Sequence, residues 1–368
     1  MVVNPRSSAL VALLLLGFAG SGAVAAAGDA ERLAYVYADS VRSLNEAHAA
    51  KPGKETETEL GKRLPKEAAR ALDELLKAKD SPEVFDALVV AAEAALDLDL
   101  VGDFDRVWER LAKGSPEHAT RIGIAVSRPR FLLHGLDGVE RPYLEGFADL
   151  FQGILESYDR VFGFEEWSKV PGKKLRVRVR RVDRITNPPH FAPQFPFHSE
   201  IDFPVLAEER LTSPTKAGQF MFYGLCHELG HVVAMWDRGE TKVDFHQWAD
   251  YTGNAIVEEL STRSPAPDWM KGLRDYPRWK GMEKVRERVK DAKPALDGPD
   301  GVMKVLVSLH DTVGPRAIGE AINLLDRKDE RRRVNRVRYY TFPGLRAALR
   351  EVVKDPEKRK AVEGLLPE

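Results

Sequence analysis

The stretch Phe222-Tyr223-Gly224-Leu225-Cys226-His227-Glu228-Leu229-Gly230-His231-Val232-Val233 concentrates the groups able to do chemistry. Its core is His227-Glu228-x-x-His231. A helix advances ~100° per residue, so two histidines four apart lie ~40° from each other one turn on, and both imidazoles can reach one metal ion. Glu228 sits beside that face, where its carboxylate can take a proton from a water at the metal instead of binding the metal itself. Neutral imidazoles suit Zn2+, a borderline-soft cation. Phe220, Met221, Phe222, Leu225, Leu229, Val232 and Val233 make this helix apolar on several sides. Two histidines and a glutamate are costly to bury there without partners. Cys226, the single cysteine, cannot form an internal disulfide. A small buried helix residue is expected there instead of an activated thiolate.

A catalytic zinc usually has three protein ligands and one open position, so a third ligand is needed. Asp237 stands where the pattern His-Glu-x-x-His-x-x-Gly-x-x-His places its last ligand, but Ala234 replaces the glycine at which that chain turns back. His246 and Asp250 lie in a segment able to reach the site. Glu258 and Glu259 belong to a second predicted helix over 253–263. Both flank its apolar side of Ile256, Val257 and Leu260, so helical angles do not choose between them.

From Leu175 to Arg263 the chain resembles the gluzincin metallopeptidases of the thermolysin-like zincin type, in which a glutamate on the next helix completes the zinc site. In such enzymes an apolar residue often stands second after that glutamate and a small one third, and Glu258-Glu259-Leu260-Ser261 fits with Glu258 as the ligand. The resemblance implies an α+β fold. A zincin-like catalytic domain of a small sheet, the His-Glu-x-x-His helix, a ligand helix and C-terminal helices would follow a small α-helical unit. It also implies peptide-bond hydrolysis of a peptide or protein substrate, with Zn2+ on His227, His231 and Glu258 and with Glu228 as general base. A second oxyanion donor in similar enzymes is often Tyr or His. Tyr340 is taken for that role, with Tyr339, His310 and Tyr251 as the other candidates. Two departures stand out: Thr262 occupies the place of an acidic residue that supports the ligands, and the connection from His231 to Glu258 is longer.

The rest of the chain must position these groups. Its 368 residues carry 56 Lys+Arg against 57 Asp+Glu, a formal charge of -1 that gives no electrostatic case for nucleic acid. With 43% hydrophobic and 31% charged residues, collagen-like and wholly disordered classes are excluded. Residues 1–27 have the form of an export signal: Arg6, an apolar run from Ala9 to Phe18, then small residues to Ala27. A secreted or periplasmic destination, with no stable membrane anchor after signal removal, is therefore expected. Residues 28–118 are rich in Ala, Leu and Glu at three- and four-residue spacing and predict an α-helical unit. Residues 119–368 form the metallopeptidase domain in this reading. Leu175, Val177 and Val179 alternate with Arg176, Arg178 and Arg180, which predicts a half-buried strand whose basic face is solvated or guards an edge. Ser199 to Phe203 is a candidate edge strand for pairing with an extended peptide, with His198 lining the cleft. Arg331-Arg332-Arg333 is expected in an exposed helix end or loop. Later helices are predicted over 301–325, interrupted near Gly314-Pro315, and over 343–353. The competing function classes are a non-catalytic secreted zinc-binding module and a helical interaction protein.

Overall fold

A computed structural model describes residues 28–50, 61–165, 174–184, 189–194, 198–206, 216–234, 246–263, 281–296, 298–328, 332–334 and 337–366. Residues 1–27, read above as an export signal, lie outside the described residues, as does Asp237. No helix among the described residues is long and apolar enough to cross a membrane.

The chain begins with a helical unit: α1 (Asp29–Ala50), α2 (Lys66–Lys77), α3 (Pro82–Asp97), α4 (Val101–Gly114) and α5 (Pro116–Ile122). Ser81 starts α3 by accepting a hydrogen bond from the Val84 amide at 3.3 Å, with Pro82 at the first helical position. That helix is buried on almost every side through Val84, Leu88, Val89, Ala91, Ala92 and Leu96. It is therefore the centre of this unit, and Tyr37, Leu72, Leu75, Phe104 and Leu111 fill the core around it.

An α+β region follows. Strands β1 (Ile124–Ser127) and β2 (Phe131–Leu136), helix α6 (Arg141–Val161), and strands β3 (Leu175–Val182), β4 (His190–Gln194) and β5 (His198–Leu206) build a mixed sheet. Its order is β1-β2-β3-β5-β4, parallel in the middle pairs β2/β3 and β3/β5 and antiparallel at both ends. The period-two pattern of β3 divides the two faces. Leu175, Val177 and Val179 share a core with Phe131, Phe147, Phe151, Ile201 and Phe203, whereas Ala125 and Leu132 belong to the core of the helical unit.

The arginine stripe of β3 is not at an edge, which corrects one part of the sequence expectation, and it is solvated only in part: Arg178 and Arg180 are half-buried and Arg176 is buried. The strand lies between β2 and β5. Arg178 meets Glu200 at 3.2 Å and Arg180 meets Asp202 at 2.7 and 2.8 Å on β5, diagonal pairs across neighbouring strands. Arg176 is 8% exposed and donates to the Leu96 carbonyl of the helical unit at 2.6 Å. A second correction concerns β5, which is flanked on both sides; the described strand at that end of the sheet is β4. The cleft role given to the His198 side chain lies outside the described residues.

Helices α7 (Lys216–Val233) and α8 (His246–Thr262) pack on this sheet region, followed by α9 (Gly281–Arg288), α10 (Pro299–Val313) and α11 (Pro315–Lys328). A small hairpin, β6 (Arg332–Val334) with β7 (Val337–Tyr339), places Arg332 and Arg333 in a strand instead of a helix end or loop. The described chain closes with α12 (Phe342–Val352) and α13 (Pro356–Leu365).

Candidate metal centre

Helices α7 and α8 cross at two glycines. A Cβ on Gly230 would lie 2.7 Å from the Cα of Ala249 and 2.3 Å from Thr252 Oγ1, and one on Gly253 would lie 3.3 Å from the His227 amide nitrogen. Only a residue without a side chain permits this approach at Gly230. Trp248 Nε1 donates to the Gly230 carbonyl at 3.0 Å and fixes the register of the crossing. The first turn of α8 is thereby set against the end of α7 that carries the histidines.

The result is a triangle of imidazole nitrogens. His231 Nε2 lies 3.1 Å from His227 Nε2, and His246 Nδ1 lies 3.2 Å from each of them. Among the described residues, His227, His231 and His246 form the group whose geometry could hold a metal ion. His231 is buried, His227 half-buried and His246 exposed, so the group opens to solvent on one side.

Donor and acceptor roles around His227 follow from chemistry. Asn254 Nδ2 donates to the Asp250 backbone carbonyl at 2.7 Å, and that carbonyl can only accept, which fixes the amide orientation. The same NH2 donates to the Tyr223 hydroxyl oxygen at 3.1 Å, which leaves the Tyr223 proton for Asp250 Oδ1 at 2.8 Å. Asp250 Oδ1 also meets His227 Nδ1 at 2.9 Å. Burial works to raise the Asp250 carboxyl, but the hydrogen bonds from His227 and Tyr223 hold it below its usual range. An ionised carboxylate accepts only, so His227 Nδ1 carries the proton and Nε2 presents a bare lone pair to the triangle.

Three nitrogens in mutual contact cannot all be matched as donor to acceptor. With His227 Nε2 an acceptor, the other two either add a lone pair facing it or both point N–H groups at it and at each other. A cation at the centre removes this conflict. Ligation at ~2.0–2.1 Å with tetrahedral angles places imidazole nitrogens roughly 3.3–3.4 Å apart, close to the spacing seen. The Asp250 carboxylate on the far nitrogen of a ligating histidine is the usual outer support of such a centre.

The residues proposed from sequence fall into two groups. His227 and His231 converge as expected, and Glu228, beside them on α7, is 6% exposed. Glu258 is not brought to the triangle. It follows His246 by twelve residues on α8, ~18 Å along the axis. Its carboxylate lies 3.5 Å from Arg286, and burial raises its carboxyl despite that guanidinium. Glu259 is held by Arg160 at 3.0 Å and Arg263 at 2.9 Å. His246, and not Glu258, lies beside the two histidines, because the described part of α8 reaches back to His246, ahead of the start that its apolar pattern implies. Tyr340 is 1% exposed and its hydroxyl donates to Asp326 of α11, which gives it a structural partner. Tyr251 is buried, with its hydroxyl 3.1 Å from His310 Nδ1. The Tyr339 side chain lies outside the described residues. Cys226 is fully buried, and burial pushes its thiol up, away from any thiolate role.

Tyr223 and Asn254 were not identified from sequence. The available signal was the pair His246-x-x-x-Asp250, which repeats the one-turn spacing of His227 and His231 and so also presents two polar groups on one helix face. No family model matches the chain, and no curated protein matches it in sequence, so its functional reading rests on this geometry.

Proposed function

We propose that this protein is a zinc-dependent hydrolase of peptide bonds, with His227, His231 and His246 as metal ligands and Glu228 as general base. The observation that carries the proposal is the nitrogen triangle at 3.1–3.2 Å, with the His227 lone pair turned inward by Asp250. Three imidazoles favour zinc over oxygen-seeking cations. Zinc, when bound, supplies Lewis acidity that lowers the pKa of a water and polarises a carbonyl. Glu228 takes the proton of the attacking water and returns it to the leaving amine. His227 stays in one tautomer throughout because Asp250 holds its Nδ1–H. The outer side of β4, which pairs with no described strand, is the side this proposal assigns to an extended peptide backbone. Pro189, just before β4, sits where a Cβ on Gly224 of α7 would approach it at 3.1 Å, which places this end of the sheet beside the helix of the centre. The ligand set departs from the gluzincin pattern, so the proposal is a zincin-like hydrolase with histidine as its third ligand. Residues 1–27 are proposed as its export signal, which gives a secreted or periplasmic enzyme.

The test is digestion of a peptide library by zinc-loaded wild type and Glu228→Gln. Loss of a positioned general base lowers kcat/KM by ~10²–10⁴-fold while zinc stays bound. Equal cleavage by both proteins would remove Glu228 as the base. Zinc binding without cleavage of any peptide by wild type would favour a non-catalytic zinc-binding module.

A further inference from the structure

The chain Asn254–Tyr223–Asp250–His227 contains one arrangement that simple support of a ligand does not require. Tyr223 and His227 donate to the same oxygen, Asp250 Oδ1, at 2.8 and 2.9 Å. A carboxylate that orients a histidine strengthens it as a metal donor by drawing on its N–H. A second donor on the same oxygen shares that negative charge and weakens the pull. We propose that Tyr223 is a positioning residue that tunes the metal centre: its hydroxyl takes part of the charge of Asp250 and keeps His227 a weaker donor than Asp250 alone would make it. The proposal rests on the metal reading above.

The donor direction is fixed, because the Asn254 amide occupies the hydroxyl oxygen and leaves the phenolic proton only Asp250. Burial, followed by the charge of Asp250, raises the Tyr223 hydroxyl far above its ordinary range, so it remains a donor at any working pH. A metal held slightly less tightly by its ligands polarises its fourth ligand more strongly, which serves a hydrolase better than maximal affinity does. The two readings of Tyr223 therefore predict opposite signs. If the hydroxyl only braced α7 against α8, removing it would loosen the centre and weaken metal binding. If it draws charge from Asp250, removing it tightens binding.

The experiment is chelator competition for zinc on the full chain, comparing wild type with Tyr223→Phe, Asn254→Ala and Asp250→Asn, with each apo protein checked for a cooperative melt. Tuning predicts that Tyr223→Phe binds zinc several-fold more tightly. Asn254→Ala, which leaves the hydroxyl but frees its orientation, should shift affinity the same way by less. Asp250→Asn should lose ~10–100-fold, the usual cost of removing an outer partner of a metal-bound histidine. Affinity of Tyr223→Phe that is unchanged or weaker overturns the tuning role. Should that variant fail to fold, Asn254→Ala decides by the same sign. A wild type that takes up no zinc overturns the metal reading itself, whereas a zinc-binding wild type with an unresponsive Tyr223→Phe overturns this inference alone.

Discussion

His134 shows how a single half-buried group makes stability depend on pH. It lies on β2, its Nε2 donates to the Ile122 carbonyl at 2.7 Å, and Phe104 meets its ring edge-on at 6.0 Å. Burial lowers its pKa to about 4 from an ordinary 6.5, and nearby Arg176 and Arg178 act in the same direction. The folded chain therefore refuses a proton that the unfolded chain accepts. Its stabilising contribution is complete above pH 6.5 and is lost as pH falls from 6.5 to about 4. In metal-free protein, His134→Gln keeps a donor for Ile122 and should flatten the melting-temperature profile across that window relative to wild type. Parallel profiles would contradict this assignment. At the candidate metal centre, His227, Glu228 and His231 are legible because four-residue spacing and chemical type suffice to place them. His246 and Asp250 carried the same spacing, but their partners lie on another helix, and one-dimensional spacing says nothing of which turn of α8 faces α7. Tyr223 could not be read at all, since its role exists only once Asp250 is packed beside it.

At the scale of elements, the glycines decide where the centre forms. Gly253 resembles a helix start in sequence, and α8 was predicted to begin there; in the fold it lies inside the helix, against the His227 backbone, and α8 begins at His246. That shift of one glycine from punctuation to packing is why His246, and not Glu258, lies beside His227 and His231. Gly230 makes the closer approach, and it supplies a prediction. Alanine is preferred to glycine in a helix interior by ~1 kcal/mol, so Gly230→Ala would stabilise a helix that touched nothing. Here the new methyl meets the Ala249 Cα, and overpacking of this kind costs ~1–3 kcal/mol. We expect a lower urea midpoint together with weaker zinc binding, because separating α7 from α8 spreads the imidazoles. A raised midpoint with unchanged zinc affinity would contradict the crossing. The β3 alternation is readable as a strand with a partly solvated basic face, but its central place and its ion pairs are not, because the acidic partners, Glu200 and Asp202, are on a strand that becomes its neighbour only after a crossover.

For the whole molecule, the central question is how a helical unit and an α+β unit with separate cores act as one body. Trp108 packs against both cores. Lys174, 15% exposed, pairs with Asp99, 3% exposed, at the corner after α3 and donates to Ser127 Oγ at 2.7 Å. Arg176 reaches Leu96 and Asp97 beside them. The helical unit is thus clamped to the face of the sheet opposite α6. Lys174→Met leaves the Asp99 charge buried without its partner, which costs ~3–5 kcal/mol by urea unfolding; a loss below ~1 kcal/mol would contradict the clamp. Helix-rich texture over 28–118 and the α+β class were visible in the sequence, because periodicity reports local structure. The clamp was not, since Asp99 and Lys174 are far apart in the chain. The identity of the third residue at the proposed metal centre can be read from zinc stoichiometry. Wild type, Glu258→Ala and His246→Ala are loaded with zinc, dialysed against a weak chelator and assayed for retained metal. With His246 as the third ligand, wild type and Glu258→Ala each retain about one zinc, the count of a single three-ligand site, and His246→Ala retains none. Retention by His246→Ala with loss from Glu258→Ala would contradict that ligand set and restore the glutamate ligand.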